Sequence, residues 1–137
     1  MPVTSKDILD SNGPLASRLE GFTPRRAQQE MAARIEQVLA DYSAFIAESG
    51  TGTGKTFAYL VPALLSGKKI LISTGTRHLQ DQLFHRDLPF IREALAVPVT
   101  TALLKGRTNY LCRHHLERAE MESRFAGKRD QTKLTNL

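Results

Sequence analysis

Glu48-Ser49-Gly50-Thr51-Gly52-Thr53-Gly54-Lys55-Thr56 lies between two apolar runs, Ala44-Phe45-Ile46-Ala47 before it and Phe57-Ala58-Tyr59-Leu60-Val61 after it. A glycine-rich loop that leaves a strand and opens a helix has the context of a phosphate-binding loop. Glycines at alternate positions keep side chains away, so successive backbone N–H groups can turn toward phosphate oxygens. The first turn of the helix adds unpaired N–H groups and the positive end of its dipole. Lys55 is placed to reach β- and γ-phosphates, and the Thr56 hydroxyl to ligate Mg²⁺. Candidate contacts are therefore Ser49, Gly50, Thr51, Gly52, Thr53, Gly54, Lys55 and Thr56, with Lys55 and Thr56 in the catalytic roles. The dinucleotide fingerprint G-x-G-x-x-G does not fit, because its third glycine falls on Lys55. A nucleoside triphosphate such as ATP, with Mg²⁺, is favoured over NAD. Ser49 is the one departure, standing where the strict pattern begins with Gly.

At 137 residues the chain has room for about one domain. Its 41% hydrophobic and 24% charged residues are ordinary for a soluble globular protein. No apolar run approaches the roughly 20 residues that span a membrane. Met1-Pro2-Val3-Thr4-Ser5-Lys6-Asp7 lacks the layout of a secretory signal, and a single cysteine offers no disulfide framework. These features point to the cytoplasm and away from a membrane. The net charge of +5 is concentrated late: residues 105–137 hold eight Lys/Arg and four acids, residues 1–104 eleven and ten. A basic final third suits a polyanion such as nucleic acid, or equally a solvated helix face.

Residues 1–20 are polar and turn-rich and read as a lead-in with little core of its own. Thr23 as N-cap and Pro24 at the first helical position begin a helix to about Asp41. Its apolar face is Met31, Ile35, Val38, Leu39 and Tyr42. The helix after the loop spans Lys55 to about Leu65, with a kink or early end at Pro62. Lys68–Thr74 and Val97–Leu104 read as a second and third strand. Between them a helix from about Thr76 is interrupted by Pro89, and Phe90–Leu95 forms another. Residues from about Asn109 to Ala126 look helical, followed by a loose polar tail from Gly127 to Leu137. Strands alternating with helices predict a parallel α/β sheet with ligand at the strand C-terminal ends. Three strands are few for that class, so the chain reads as the opening part of something larger.

Three further segments stand in a telling order: Phe22-Thr23-Pro24-Arg25-Arg26-Ala27-Gln28, then Ser73-Thr74-Gly75-Thr76-Arg77-His78-Leu79-Gln80-Asp81-Gln82-Leu83, then Leu103-Leu104-Lys105-Gly106-Arg107-Thr108-Asn109-Tyr110-Leu111-Cys112. Together with the loop they resemble the N-terminal part of the DinG/XPD-like superfamily 2 DNA helicases, including their YoaA-type branch, over roughly Gly21 to Leu116. The resemblance implies a partial RecA-like P-loop NTPase domain, truncated. Residues 21–106 would be the N-terminal part of the ATP-binding domain, and 107–137 the start of the iron–sulphur region.

The resemblance also implies roles. Arg25 and Gln28 match the Q-motif, whose glutamine reads the adenine edge; an amide offers donor and acceptor together. On the residues alone both could equally be exposed polar positions of the first helix. Thr76 and Gln82 match the motif that touches the phosphates of single-stranded DNA, or they cap and solvate a helix. Cys112 matches the first of four cysteines that ligate a 4Fe–4S cluster in full-length relatives. With one thiolate this chain cannot build the cluster. His114 and His115 read as surface residues, since consecutive helix positions do not face one point.

No Asp-Glu-Ala-His or similar box follows a later strand, and the second RecA-like domain with its arginine finger is absent. The expectation is an ATP-binding part of a 5′→3′ DNA helicase of repair or replication, itself barely able to hydrolyse ATP. The alternatives are a non-catalytic nucleotide-binding fragment or non-functional truncated product, and a P-loop kinase or transporter ATPase.

Overall fold

A computed structural model describes residues 3–121. They fall in two compact units, one running through Thr101 and the other beginning at Ala102.

The first unit is organised around helix α3, Lys55–Leu65. Ala58, Leu60, Val61, Pro62 and Leu64 are buried, so the helix is apolar on most of its circumference and has to be enclosed. Pro62 is accommodated inside it; the helix continues one turn and closes with the Ser66 N–H on the Pro62 carbonyl. Helix α2, Arg26–Asp41, packs along α3 through Ala32 and the half-buried Met31. It starts two residues later than the Thr23/Pro24 pair predicts. Arg25 is still extended, and the first helical bond runs from Gln29 N–H to the Arg25 carbonyl. Tyr42, expected on the apolar face, is exposed: it caps α2 in a left-handed conformation, and its ring carries the Lys68 ammonium at 3.7 Å.

The lead-in differs most from expectation. Helix α1, Ser5–Ile8, opens with a capping box between Thr4 and Asp7. Ile8, Leu9 and Leu15 are buried in the core around α3. Gln29 Nε2 donates to the Leu9 carbonyl at 3.1 Å, the Ser5 N–H to Glu36 Oε2 at 2.9 Å, and Arg18 pairs with Glu93 at 2.7 Å. Gly13 lets the turn fold back on α1, since a Cβ there would lie 2.4 Å from the Ile8 carbonyl oxygen. These residues add core where their polar composition predicts little.

Helix α4 spans Arg77–Gln82 and α5 Leu88–Leu95. No break separates them at Pro89. A π turn, Leu83–Asp87, joins them through a bond from Leu88 N–H to the Leu83 carbonyl, and Pro89 sits in the first turn of α5. Proline is harmless there because a first-turn N–H has no helical partner. Phe90 stacks against Phe57 of α3 with ring centroids 6.2 Å apart.

The predicted parallel sheet does not form among the described residues. Residues 44–47 and 70–74 carry no strand pairing, and Ile46 and Leu71 are 97% and 94% exposed. Only the stretch 97–101 shows a strand-like surface, with Val97, Val99 and Thr101 half-buried and Pro98 and Thr100 exposed. A parallel strand satisfies its backbone only across to neighbours, and these three segments do not supply neighbours for one another.

In the second unit a 3₁₀ turn, Arg107–Asn109, precedes helix α6, Arg113–Met121. The continuation of that helix toward Ala126 and the Gly127–Leu137 tail lie outside the described residues. No described helix is long and apolar enough to cross a membrane.

Candidate nucleotide-binding site

The loop enters α3 through Gly54, the N-cap residue, at φ +81°. Two facts make glycine obligatory there. L side chains rarely adopt that conformation, and a Cβ would lie 2.2 Å from Gln28 Nε2. Gln28 is 4% exposed, and its Nε2 donates to the Gly54 carbonyl at 2.9 Å. Its Oε1 is buried with no hydrogen-bond partner among the described residues. Gln28 is thus neither an exposed polar residue of the first helix nor, in this arrangement, an amide with both atoms open to an adenine edge. It braces the loop from below. Arg25 is exposed at the start of α2.

Within the loop, the Thr53 hydroxyl donates to the Gly50 carbonyl at 2.9 Å and lies 2.5 Å from the Ser49 hydroxyl. A hydroxyl carries one proton, so Ser49 is the donor to Thr53. Ser49 therefore contributes a bond across the loop that Gly or Ala there could not make. Sequence reading noticed the unusual residue without finding this use. The Lys55 ammonium donates to the carbonyls of Ser49 and of Gly50, the latter at 2.7 Å. It sits across the mouth of the loop, and a phosphate oxygen would take the place of these carbonyls. Nothing stands within 4 Å of a Cβ at Gly52, and Thr51 and Gly52 are exposed, so the loop crest is open to a ligand.

The donor set fits a magnesium-bound triphosphate: an ammonium, a hydroxyl and the N–H groups of the first turn of α3. Thr56 lies within hydrogen-bonding reach of Tyr59, one turn along α3. Burial raises the Tyr59 phenol above its ordinary pKa; the Thr56 hydroxyl works against that rise, and the negative charge of Asp87 adds to it. Tyr59 is therefore a neutral phenol at physiological pH. Neither Tyr59 nor Asp87 carries a sequence signal: one reads as a helix residue and the other as a surface acid.

The remaining predicted residues lie elsewhere. Thr76 is the N-cap of α4; its hydroxyl accepts the Leu79 N–H at 3.2 Å, which is the capping alternative, and leaves its own proton free. Gln82 donates through Nε2 to Asp87 Oδ2 at 3.0 Å. In the second unit the Tyr110 hydroxyl accepts the Lys105 N–H at 2.9 Å, and Asn109 Nδ2 donates to the Gly106 carbonyl at 3.1 Å. The Lys-Gly-Arg-Thr-Asn-Tyr segment thus closes on itself. Cys112 is an exposed free thiol just before α6, and His114 and His115 are exposed. One thiolate does not fit a four-iron cluster.

The sequence model of the DEAD/DEAH box helicase family matches residues 25–123. The chain is similar to the ATP-dependent DNA helicase YoaA of Haemophilus influenzae, with 53% identity over 111 residues, 81% of this chain and 17% of that protein. It is 49% identical over 121 residues to YoaA of Escherichia coli, covering 88% of this chain and 19% of that one. A further relative, the 3′-5′ exonuclease DinG of Bacillus subtilis, is 36% identical over 107 residues, 75% of this chain and 12% of that protein. The chain thus spans less than a fifth of the length of these curated relatives. No solved structure matches it.

Proposed function

Since the chain belongs to the DEAD/DEAH box helicase family, whose domain is a RecA-like P-loop fold, we propose that it is the ATP-binding N-terminal part of a 5′→3′ DNA helicase of the DinG/XPD-like iron–sulphur type. The observation that carries this is the loop itself: Lys55 and Thr56 open α3 behind an exposed glycine crest, with Gln28 seated against Gly54. Lys55 would hold the β- and γ-phosphates, Thr56 the Mg²⁺, and the N–H groups from Gly50 to Gly54 the phosphate oxygens. Mg²⁺ would supply charge neutralisation between β- and γ-oxygens. Arg25 and Gln28 would border the adenine, Gln28 after giving up its present Gly54 contact or through its unpartnered Oε1. Thr76 and Gln82 would meet the phosphates of single-stranded DNA.

Residues 21–106 are the part of the ATP-binding domain, with 1–20 packed into it, and 107–137 begin the iron–sulphur region, where Cys112 would be the first ligand of a longer relative. In this reading the protein acts in the cytoplasm, in repair or replication, on single-stranded DNA and without a membrane. The strands at 44–47, 70–74 and 97–104 join a parallel sheet once neighbours are present. The chain as it stands carries no acidic box and no arginine finger, and fingers are worth about 10³–10⁵ in rate. It therefore binds ATP–Mg²⁺ weakly and hydrolyses it negligibly.

Thermal unfolding of the purified chain should shift upward with ATP–Mg²⁺, and Lys55→Ala should remove the shift. Oligonucleotide binding should weaken steeply with salt, as phosphate contacts require. A fast, DNA-stimulated ATPase from this chain, lost in Lys55→Ala, would overturn the assignment of negligible hydrolysis. Absence of both ATP and oligonucleotide binding would overturn the whole reading. The exposure of Ile46, Leu71 and Leu104 favours a second one, a truncated product without function; cooperative unfolding that responds to ATP–Mg²⁺ excludes it.

A further inference from the structure

Asp87 is the one buried acid among the described residues, 6% exposed. A carboxylate is not placed there for packing, because burying a charge is costly unless it is well partnered. Its partners are specific. Oδ2 accepts from Gln82 Nε2 and Oδ1 from Arg86 Nε, each at 3.0 Å. Its charge is felt by Tyr59 of α3, whose phenol in turn lies beside the Thr56 hydroxyl. Thr56, Tyr59, Asp87 and Gln82 thus follow one another from the phosphate loop to the end of α4.

The backbone around Asp87 is also special. Leu83–Asp87 is a π turn, with one residue more per turn than the helices on either side. Such turns are uncommon and recur at functional sites. A continuous α-helix from α4 into α5 would rotate Asp87 to a different face relative to Gln82. The π turn is what lets a side chain five residues on meet the Gln82 amide.

We propose that Asp87 is a positioning residue that fixes the Gln82 amide and links it through Tyr59 to the phosphate-loop helix, so that triphosphate and single-stranded nucleic acid bind interdependently. This rests on the proposed roles of Lys55, Thr56 and Gln82. Interdependence has a thermodynamic signature: each ligand changes the affinity for the other by the same factor. A carboxylate that only stabilised the fold would leave that factor untouched, whatever it did to each affinity.

The test uses the whole chain, a fluorescent ATP analogue with Mg²⁺, and an oligo-dT strand. In the wild type, oligo-dT should tighten the analogue by about fivefold or more, the lower end of ordinary coupling. Asp87→Asn removes the charge at constant shape; Tyr59→Phe removes only a hydroxyl and keeps the ring that packs. Both should bring the coupling factor to about 1 while leaving analogue affinity without oligo-dT within about twofold of wild type. Coupling that survives in the folded variants overturns the proposal, as does a parallel loss of both affinities at unchanged ratio. A wild type that binds both ligands independently removes this proposal alone. One that binds neither removes the reading beneath it, and the proposal with it.

Discussion

Helix α3 and the apolar runs that flank it in sequence are built from the same kinds of residue and meet opposite fates. Leu60 and Val61 are wholly buried, while Ile46, before the loop, and Leu71, after the helix, lie almost entirely in solvent. Hydrophobicity does not separate them; hydrogen bonding does. A helix closes its N–H···O=C bonds within itself, so α3 needs only side-chain neighbours, and α2, α5 and the lead-in provide them. A strand needs another backbone alongside before its side chains can be enclosed. The helical layer of this chain is therefore complete where its sheet layer is not. The unpaired runs are the kind of edge that invites association.

The largest expected effect separates these two layers directly. Leu60→Ala should cost about 2–5 kcal/mol in urea unfolding, the range for emptying a well-packed site. Leu71→Thr should stay within about 0.5 kcal/mol, as an exposed position does, and should lower concentration-dependent association in light scattering. If Leu71→Thr costs as much as Leu60→Ala, the run around it is packed in solution and the contrast collapses.

A smaller effect tests the junction where the exposed run passes into the buried helix. Gly52 and Gly54 both adopt positive φ, +76° and +81°. A Cβ at Gly52 meets nothing within 4 Å, whereas one at Gly54 meets the Gln28 amide. Each alanine carries a left-handed strain of about 1–2 kcal/mol. Gly54→Ala should cost more than Gly52→Ala and also weaken ATP analogue binding, because it displaces Gln28. Equal costs in a paired melt would show that Gln28 does not brace the loop.

That pair also marks what could be seen in advance. The loop, its glycines and the limits of α3 were legible because phosphate binding constrains residue type and spacing locally, and Lys55–Leu65 is the span its pattern predicts. The apolar runs were legible as runs, but their pairing depends on backbone that these segments do not provide. Gln28 could be picked out only by resemblance, and its contact with Gly54 depends on how α2 crosses the loop, which no local pattern encodes. The lead-in was misread because composition averages over position: Ile8, Leu9 and Leu15 are few, yet all three are buried. The π turn was invisible for a different reason. Pro89 signals a break equally well whether the chain stops or simply begins a new first turn.

The smallest effect concerns Thr76, at the boundary between an exposed run and a helix. Its hydroxyl caps α4, so Thr76→Ala should cost about 1 kcal/mol, the usual worth of such a cap. Asparagine caps at least as well, so Thr76→Asn should restore stability. The two variants then separate two ways in which Thr76 could serve nucleic-acid binding. If oligonucleotide affinity falls in Thr76→Ala and returns in Thr76→Asn, the residue acts by ordering the first turn of α4. If it falls in both, the hydroxyl proton that the cap leaves free is the contact itself. A fall in neither confines Thr76 to the fold and leaves Gln82, held by Asp87, as the group on which binding at that helix depends.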